Sequence, residues 1–330
     1  MCNYFVQSRY IKLIMFISIV HIAFITHLLY HTKEVNYMLP NSYMSQISDD
    51  TYLSQINIVG THDSCADNVE FTTIARCQDM SVITQLEKGI RLFDIRLSYS
   101  NGRYPLVHYL ADCYVYKGSK YKLYFEYIFS IFKRFLEKHP DETILLSIKK
   151  DRGVLRDTFA KYFIYRFIKG NEDLWFLENR IPKLKEVRGK IVLLRRFVCP
   201  KRYLKSNNLT SLGIDLSIWE NQKTKEPFPF CETRINKTDS AMIQDSYNTE
   251  MHDKWYKEIK PFFDISYPTK NKMFLNWLNT SGGGKTPKEN SNFINVKFEN
   301  LLRTNKNIKG WFFIDFPTEK IIDYIIKSNF

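Results

Sequence analysis

Seven short apolar runs, at residues 56–59, 90–97, 106–107, 143–148, 190–197, 273–278 and 311–314, alternate with helical patterns at 81–88, 121–138, 154–169, 247–263, 295–302 and 319–327. Strand-length runs that alternate with helix-length patterns over most of a chain call for parallel strands joined by helical crossovers. The expectation is an α/β fold, a single parallel barrel, with reactive side chains gathered at the C-terminal ends of the strands. The length of 330 residues, 44% of them hydrophobic, suffices for one large core, and nothing in the chain is repetitive.

The polar residues that end these runs form a chemically coherent set. The first run closes as Asn57-Ile-Val-Gly-Thr-His-Asp-Ser64, which delivers His62 and Asp63 at the end of a buried strand. A lone histidine is more often a hydrogen-bonded structural residue, so the weight falls on its company. In Arg91-Leu-Phe-Asp-Ile-Arg-Leu97, period-2 alternation puts Asp94 and Arg96 on one face. His108 ends Leu106-Val-His, read as a third strand; Lys149, Arg196 and Asp315 end three later runs. Two histidines, carboxylates and an arginine supply one base, one acid and one fixed positive charge, the needs of phosphodiester cleavage.

On these residues the chain resembles, over most of residues 45–330, the catalytic X domain of phosphatidylinositol-specific phospholipases C in its bacterial, metal-independent form. The resemblance implies an irregular TIM-like (β/α) barrel. It implies attack of the inositol 2-hydroxyl on phosphorus, giving diacylglycerol and inositol 1,2-cyclic phosphate. It assigns His62 as general base oriented by Asp315, and His108 with Asp63 as general acid. Arg96 becomes the phosphate-binding cation positioned by Asp94, and Lys149, Arg196, Asp245 and Tyr247 become the inositol contacts. No metal and no cofactor are implied, because Arg96 stands where calcium-dependent relatives carry acidic and Asn ligands, and Asp63 replaces an Asn of the calcium-type pattern. Blander readings stand beside these: Asp245 as a helix cap and Arg196 as a surface charge. The alternatives for the whole chain are a metal-dependent glycerophosphodiesterase- or sphingomyelinase-like barrel, which needs an acidic cluster near His62 that is missing, and an inactive lipid- or glycan-binding barrel.

A formal charge of +13 suits an anionic partner, and charge alone does not choose between nucleic acid and anionic lipid. The resemblance chooses phosphatidylinositol or glycosyl-phosphatidylinositol in a membrane, with no nucleic acid, and a monomer. Residues 1–34 contain an uncharged run, 13–30, preceded by Arg9 and Lys12, which reads as an anchor or signal sequence. The catalytic domain would then be extracellular or lumenal, or secreted. Residues 35–54 read as a lead-in and 55–330 as the barrel. Cysteines 2, 65, 77, 113, 199 and 231 lack zinc-like spacing. Cys65, Cys77 and Cys113 fall in loops near one barrel mouth, where one pair could form a disulfide in an exported protein; free buried thiols are the alternative. Cys65-Ala66 replaces the family's small Gly-Thr. Ser281-Gly-Gly-Gly-Lys-Thr286 lacks the first glycine of a phosphate-binding loop and reads as a flexible loop after a strand.

Overall fold

Residue Gly60 sets the spacing at the centre of the sheet: a Cβ there would lie 2.7 Å from both the Cβ and the carbonyl oxygen of Leu92 on the next strand. Only glycine lets the two backbones pack this closely. The computed structural model describes residues 40–153, 156–218, 230–305 and 307–330. Residues 40–330 belong to one compact unit. The hydrophobic run at 13–30, Cys2 and the segment 219–229 lie outside the described residues. Among the described residues no helix is long and apolar enough to cross a membrane.

The strands are β1 (Ile58–Thr61), β2 (Leu92–Tyr99), β3 (Val107–His108), β4 (Ala111–Asp112), β5 (Ile144–Gly153), β6 (Trp175–Phe176), β7 (Ile191–Arg196), β8 (Ile214–Asp215), β9 (Phe230–Arg234), β10 (Ser240–Gln244), β11 (Lys272–Trp277) and β12 (Trp311–Ile314). The main sheet runs β6-β7-β5-β2-β1-β12-β11-β10-β9, with β8 also paired to β7. Every ladder in it is parallel except that between β9 and β10. Parallel strands covered on both faces are apolar along their whole length, which is why β1, β7 and β12 are almost continuously buried.

Two expectations need correction. The ring is not closed among the described residues: β6 and β8 at one end have only two residues each, and β9 at the other end is antiparallel, so the sheet is curled and open. Residue His108 does not end a barrel strand; β3 and β4 form a separate two-stranded antiparallel hairpin beside β2. The stretch read as a lead-in is also partly structural, since Tyr43 and Met44 in the turn Pro40–Gln46 are fully buried.

Helices cover the sheet where the periodicity places them. The helix Phe125–Lys138 buries Phe125, Phe129, Phe132 and Phe135 and leaves Tyr127 exposed. Helix Pro287–Thr304 begins earlier than its apolar pattern does, at a capping box of Thr286 and Glu289 with Pro287 in the first turn. The glycine-rich loop before it packs closely on a neighbouring segment: a Cβ on Gly282 would meet the Thr249 backbone at 2.4 Å.

Candidate active site

Parallel register decides which side chains meet. Strands β1 and β12 pair with Thr61 opposite Ile314, so the next residues, His62 and Asp315, fall side by side at the strand ends. His62 Nδ1 donates to Asp315 Oδ1 at 2.8 Å, and this fixes the ring with Nε2 turned the other way. There Nε2 is 2.9 Å from Asp63 Oδ2 and 3.3 Å from Asn279 Nδ2. Gln78 Nε2 ties the two strand ends together by donating to His62 O at 2.7 Å and Ile314 O at 3.0 Å.

Asp63 has φ of 39°, in the left-handed region that aspartate tolerates better than most residues, and its carboxylate serves both histidines. His108 Nε2 is 3.4 Å from the same Oδ2, while His108 Nδ1 donates to Ala75 O at 2.7 Å and touches Cys77 Sγ at 3.8 Å. Two imidazoles thus flank one carboxylate, with ring centroids 6.1 Å apart.

A row of cations borders this set. Register across β2, β5 and β7 aligns Arg96 with Lys149 and Lys149 with Arg196. Arg96 is oriented by Asp94: its Nε and Nη2 donate to Asp94 Oδ2 at 2.9 and 2.6 Å, and its Nε is 3.9 Å from Asp63 Oδ1. Arg196 Nη1 donates to Asp94 Oδ1 at 3.4 Å and Nη2 to Asp245 Oδ2 at 3.3 Å, with the guanidinium 5.1 Å from the Trp277 ring centre. Arg196 is therefore no surface charge. Nor is Asp245 a helix cap, a role that Glu250 takes. Lys149 is half-exposed and pairs with Asp151 at 3.0 Å. Tyr247 is half-buried, and its carbonyl accepts from both the amide and the hydroxyl of Ser281 at 2.8 Å, which pins the glycine-rich loop.

Burial and neighbouring charge oppose each other throughout. Burial works against a charged His62, but Asp63 and Asp315 override it and hold the imidazolium well above the usual histidine range. Burial likewise opposes charge on His108, and Asp63 pushes its pKa up to about 10. Burial would raise Asp63, but His108, His62 and Arg96 bring it far below the usual carboxylate range. Asp315 is raised by burial, in spite of His62. The cluster is thus poised to hold protons on its histidines and charge on its central carboxylate.

With this geometry in place, the likenesses are specific. Residues 39–197 match "Phosphatidylinositol-specific phospholipase C, X domain". This stretch belongs to that phospholipase C family. The chain is 29% identical to a 1-phosphatidylinositol phosphodiesterase of Staphylococcus aureus over 91% of its own length and 98% of the relative's. It is 28% identical to the Listeria monocytogenes enzyme of the same name over 89% and 86%. Its fold matches a pentafluoro-Phe-containing Staphylococcus aureus phosphatidylinositol-specific phospholipase C with TM-score 0.73 at 25% identity, covering 88% of this chain and 98% of that one. The Listeria monocytogenes phospholipase C gives TM-score 0.69 at 26% identity, over 88% and 99%. The family match covers His62, Asp63, Asp94, Arg96, His108, Lys149 and Arg196.

Two neighbours of the site escaped the sequence reading. Asp151 pairs with both Arg96, at 3.6 Å, and Lys149; period-2 alternation from Lys149 along β5 was the available signal. Asn279 comes just after β11 as His62 comes after β1, and the strand-end rule applied there would have found it. Cys77, expected near this mouth, reaches His108 from a loop. All three thiols expected near this mouth, Cys65, Cys77 and Cys113, are buried and free, the second of the two readings left open above.

The carboxylates give a pH prediction. If His62 acts as the base, its neutral form works, so the acid limb of kcat/KM should lie above the ordinary histidine pKa of 6.5. Asp315→Asn removes one carboxylate that stabilises the imidazolium, so the limb should move to lower pH. A limb that stays in place in that variant would rule out this pairing as its cause.

Proposed function

We propose that this enzyme cleaves phosphatidylinositol, or its glycosylated form, by attack of the inositol 2-hydroxyl on phosphorus. The observation that carries the reading is the single buried carboxylate of Asp63 between two histidines, with a fixed guanidinium 3.9 Å away. An intramolecular nucleophile needs little beyond orientation and proton transfer. His62 Nε2 takes the 2-hydroxyl proton, and Asp315 holds the opposite nitrogen and stabilises the imidazolium formed. His108, charged beside Asp63, gives its proton to the departing glycerol oxygen. The bond to phosphorus forms from the inositol 2-oxygen and breaks to glycerol, leaving diacylglycerol and inositol 1,2-cyclic phosphate. Arg96 offsets charge on the phosphate oxygens, held in line by Asp94 and Asp151. Lys149, Arg196, Asp245 and Tyr247 are assigned to the ring hydroxyls and its flat face.

In this reading Arg96 supplies the positive charge that a bound cation supplies in metal-dependent enzymes. Arg96→Lys keeps the charge but loses the planar fork that two Asp94 contacts orient. Charge-assisted hydrogen bonds contribute about 1.5–3 kcal/mol each, so we expect kcat/KM on phosphatidylinositol vesicles to fall roughly 10–100-fold. Full activity in Arg96→Lys, or no cleavage of phosphatidylinositol by the wild-type chain, would sink the proposal.

The substrate would be met at a membrane. Phe71, Ile74, Tyr109 and Leu110 are between 64 and 71% exposed, and Tyr109 is the residue next to His108. The bridge of Val69 to Cys113 joins the segments that carry them. Apolar side chains grouped beside the acid suit insertion into a lipid surface. The pair Phe71→Ser and Tyr109→Ser should lower turnover of vesicles about tenfold and leave that of a dispersed short-chain substrate unchanged. Equal losses on both substrates would place these residues in another role.

A further inference from the structure

Residue Cys77 is unused by the reaction just described, yet it stands in the middle of the site. A nitrogen of His62, a carboxylate oxygen of Asp63 and Cys77 Sγ lie within 4.8 Å of one another, and all three residues are buried. Asp63 is 3% exposed, and neither of its oxygens makes a well-aligned hydrogen bond, although both histidines are near. A buried carboxylate in that condition has capacity for another partner. We propose that His62, Asp63 and Cys77 form a binding site for a thiophilic divalent cation of the zinc class, and that its occupancy inhibits the enzyme.

The donor set selects the ion. Calcium and magnesium require six or more oxygen ligands, whereas one nitrogen, one oxygen and one sulfur suit zinc, with its tetrahedral sites and bond lengths of about 2.0–2.3 Å. Such bonds put ligand atoms about 3.3–3.8 Å apart, so closing around zinc requires small side-chain shifts only. The outer shell is already built: Asp315 holds His62 Nδ1 at 2.8 Å, which leaves Nε2 to the metal in a carboxylate–histidine–metal arrangement. The main chain of Cys77 is held at both ends, its amide donating to Ala66 O at 3.1 Å and its carbonyl accepting from Phe316 N at 3.0 Å. Arg96 opposes a cation, but it lies 3.9 Å from Asp63 Oδ1 on the side away from the Oδ2 that approaches His62. Its charge is also shared with Asp94. On binding, the thiol proton and any proton on His62 Nε2 pass to solvent, and the metal–sulfur and metal–nitrogen bonds form without oxidation or reduction. The fourth position is open to water. The nitrogen assigned as the base is then no longer free to take a proton.

The inhibitory consequence rests on the role of His62 proposed above, so the test reads binding and turnover separately. Cobalt(II) added to the full-length chain should give a thiolate-to-cobalt charge-transfer band, whatever the turnover. Zinc chloride should inhibit phosphatidylinositol cleavage with one-site behaviour. Cys77→Ala should retain turnover of the wild-type order, lose the cobalt band, and require roughly 100-fold more zinc for half-inhibition, since even loss of an outer partner costs 10–100-fold. Cys77→Ser, which keeps size and polarity, should behave likewise. A cobalt spectrum without thiolate character, or unchanged zinc sensitivity in both Cys77 variants, would overturn the site. A chain that binds cobalt through Cys77 without cleaving phosphatidylinositol would leave the site standing and refute the function.

Discussion

Replacement of either histidine should lower kcat on phosphatidylinositol by about 10²–10⁴-fold, the usual contribution of one positioned acid or base. His62 and His108 share Asp63, at 2.9 and 3.4 Å, so they act on one proton inventory. Loss of both should therefore cost far less than the product of the single losses, since groups that work as a unit are strongly non-additive. His62→Ala alone strands Asp315 as a buried, unpaired carboxylate and takes one of its partners from Asp63, and a destabilised fold could then mimic a catalytic effect. His62→Gln keeps a polar side chain for those carboxylates, while the amide nitrogen cannot act as a base. Circular dichroism and denaturant midpoints of all variants separate the two effects. Near-normal kcat in a folded His62→Gln or His108→Gln would contradict the assignments.

The second large effect falls at the other end of the strands and concerns stability. Arg91 and Glu142 are fully buried and joined at 2.7 Å from Nε to Oε2. Arg91 Nη1 donates to the carbonyls of Leu86 and Ile90 at 2.9 Å, and its guanidinium lies 4.5 Å from the Phe135 ring centre. Glu142 Oε1 accepts from Met44 N at 2.7 Å, so the pair ties residues 40–46 to the starts of β2 and β5. Burial pushes the Glu142 pKa up, against the pull of Arg91. Arg91→Met leaves that carboxylate without its cation and should lower unfolding free energy by about 3–5 kcal/mol. Arg91→Met with Glu142→Leu removes both charges and should recover much of the loss, because two apolar groups need no partner. Urea denaturation of the three proteins checks the order. A double variant less stable than Arg91→Met would mean that hydrogen bonds to the backbone, and not the ion pair, dominate.

Much of this was legible in the sequence where physics makes the signal local. Strands β1, β2, β5, β7, β11 and β12 announce themselves because parallel strands covered on both faces carry mostly apolar residues along their buried stretches. The polar residue at the end of each run then marks the candidate positions, which is how His62, Arg196 and Asp315 emerge. Strands β9 and β10, Phe-Cys-Glu-Thr-Arg and Ser-Ala-Met-Ile-Gln, mix polar and apolar positions at the sheet margin and were missed. Residue His108 was placed at the end of a sheet strand, but its apolar pair Leu106–Val107 belongs to a hairpin that brings the ring to Asp63 from outside the sheet. Long-range contacts such as Cys77 with His108 depend on loop paths that no local pattern encodes. Asp151 was hidden differently, inside Lys149-Lys-Asp-Arg152, a run that reads as a solvated charge cluster.

The central claim, cleavage by the neighbouring hydroxyl with protein groups alone, is tested most directly by phosphorus NMR of the purified enzyme acting on phosphatidylinositol in excess EDTA. The expected first product is inositol 1,2-cyclic phosphate, seen by its resonance and formed at a rate that EDTA does not change. Inositol 1-phosphate without a cyclic precursor, or activity that stops in EDTA and returns with calcium, would contradict it.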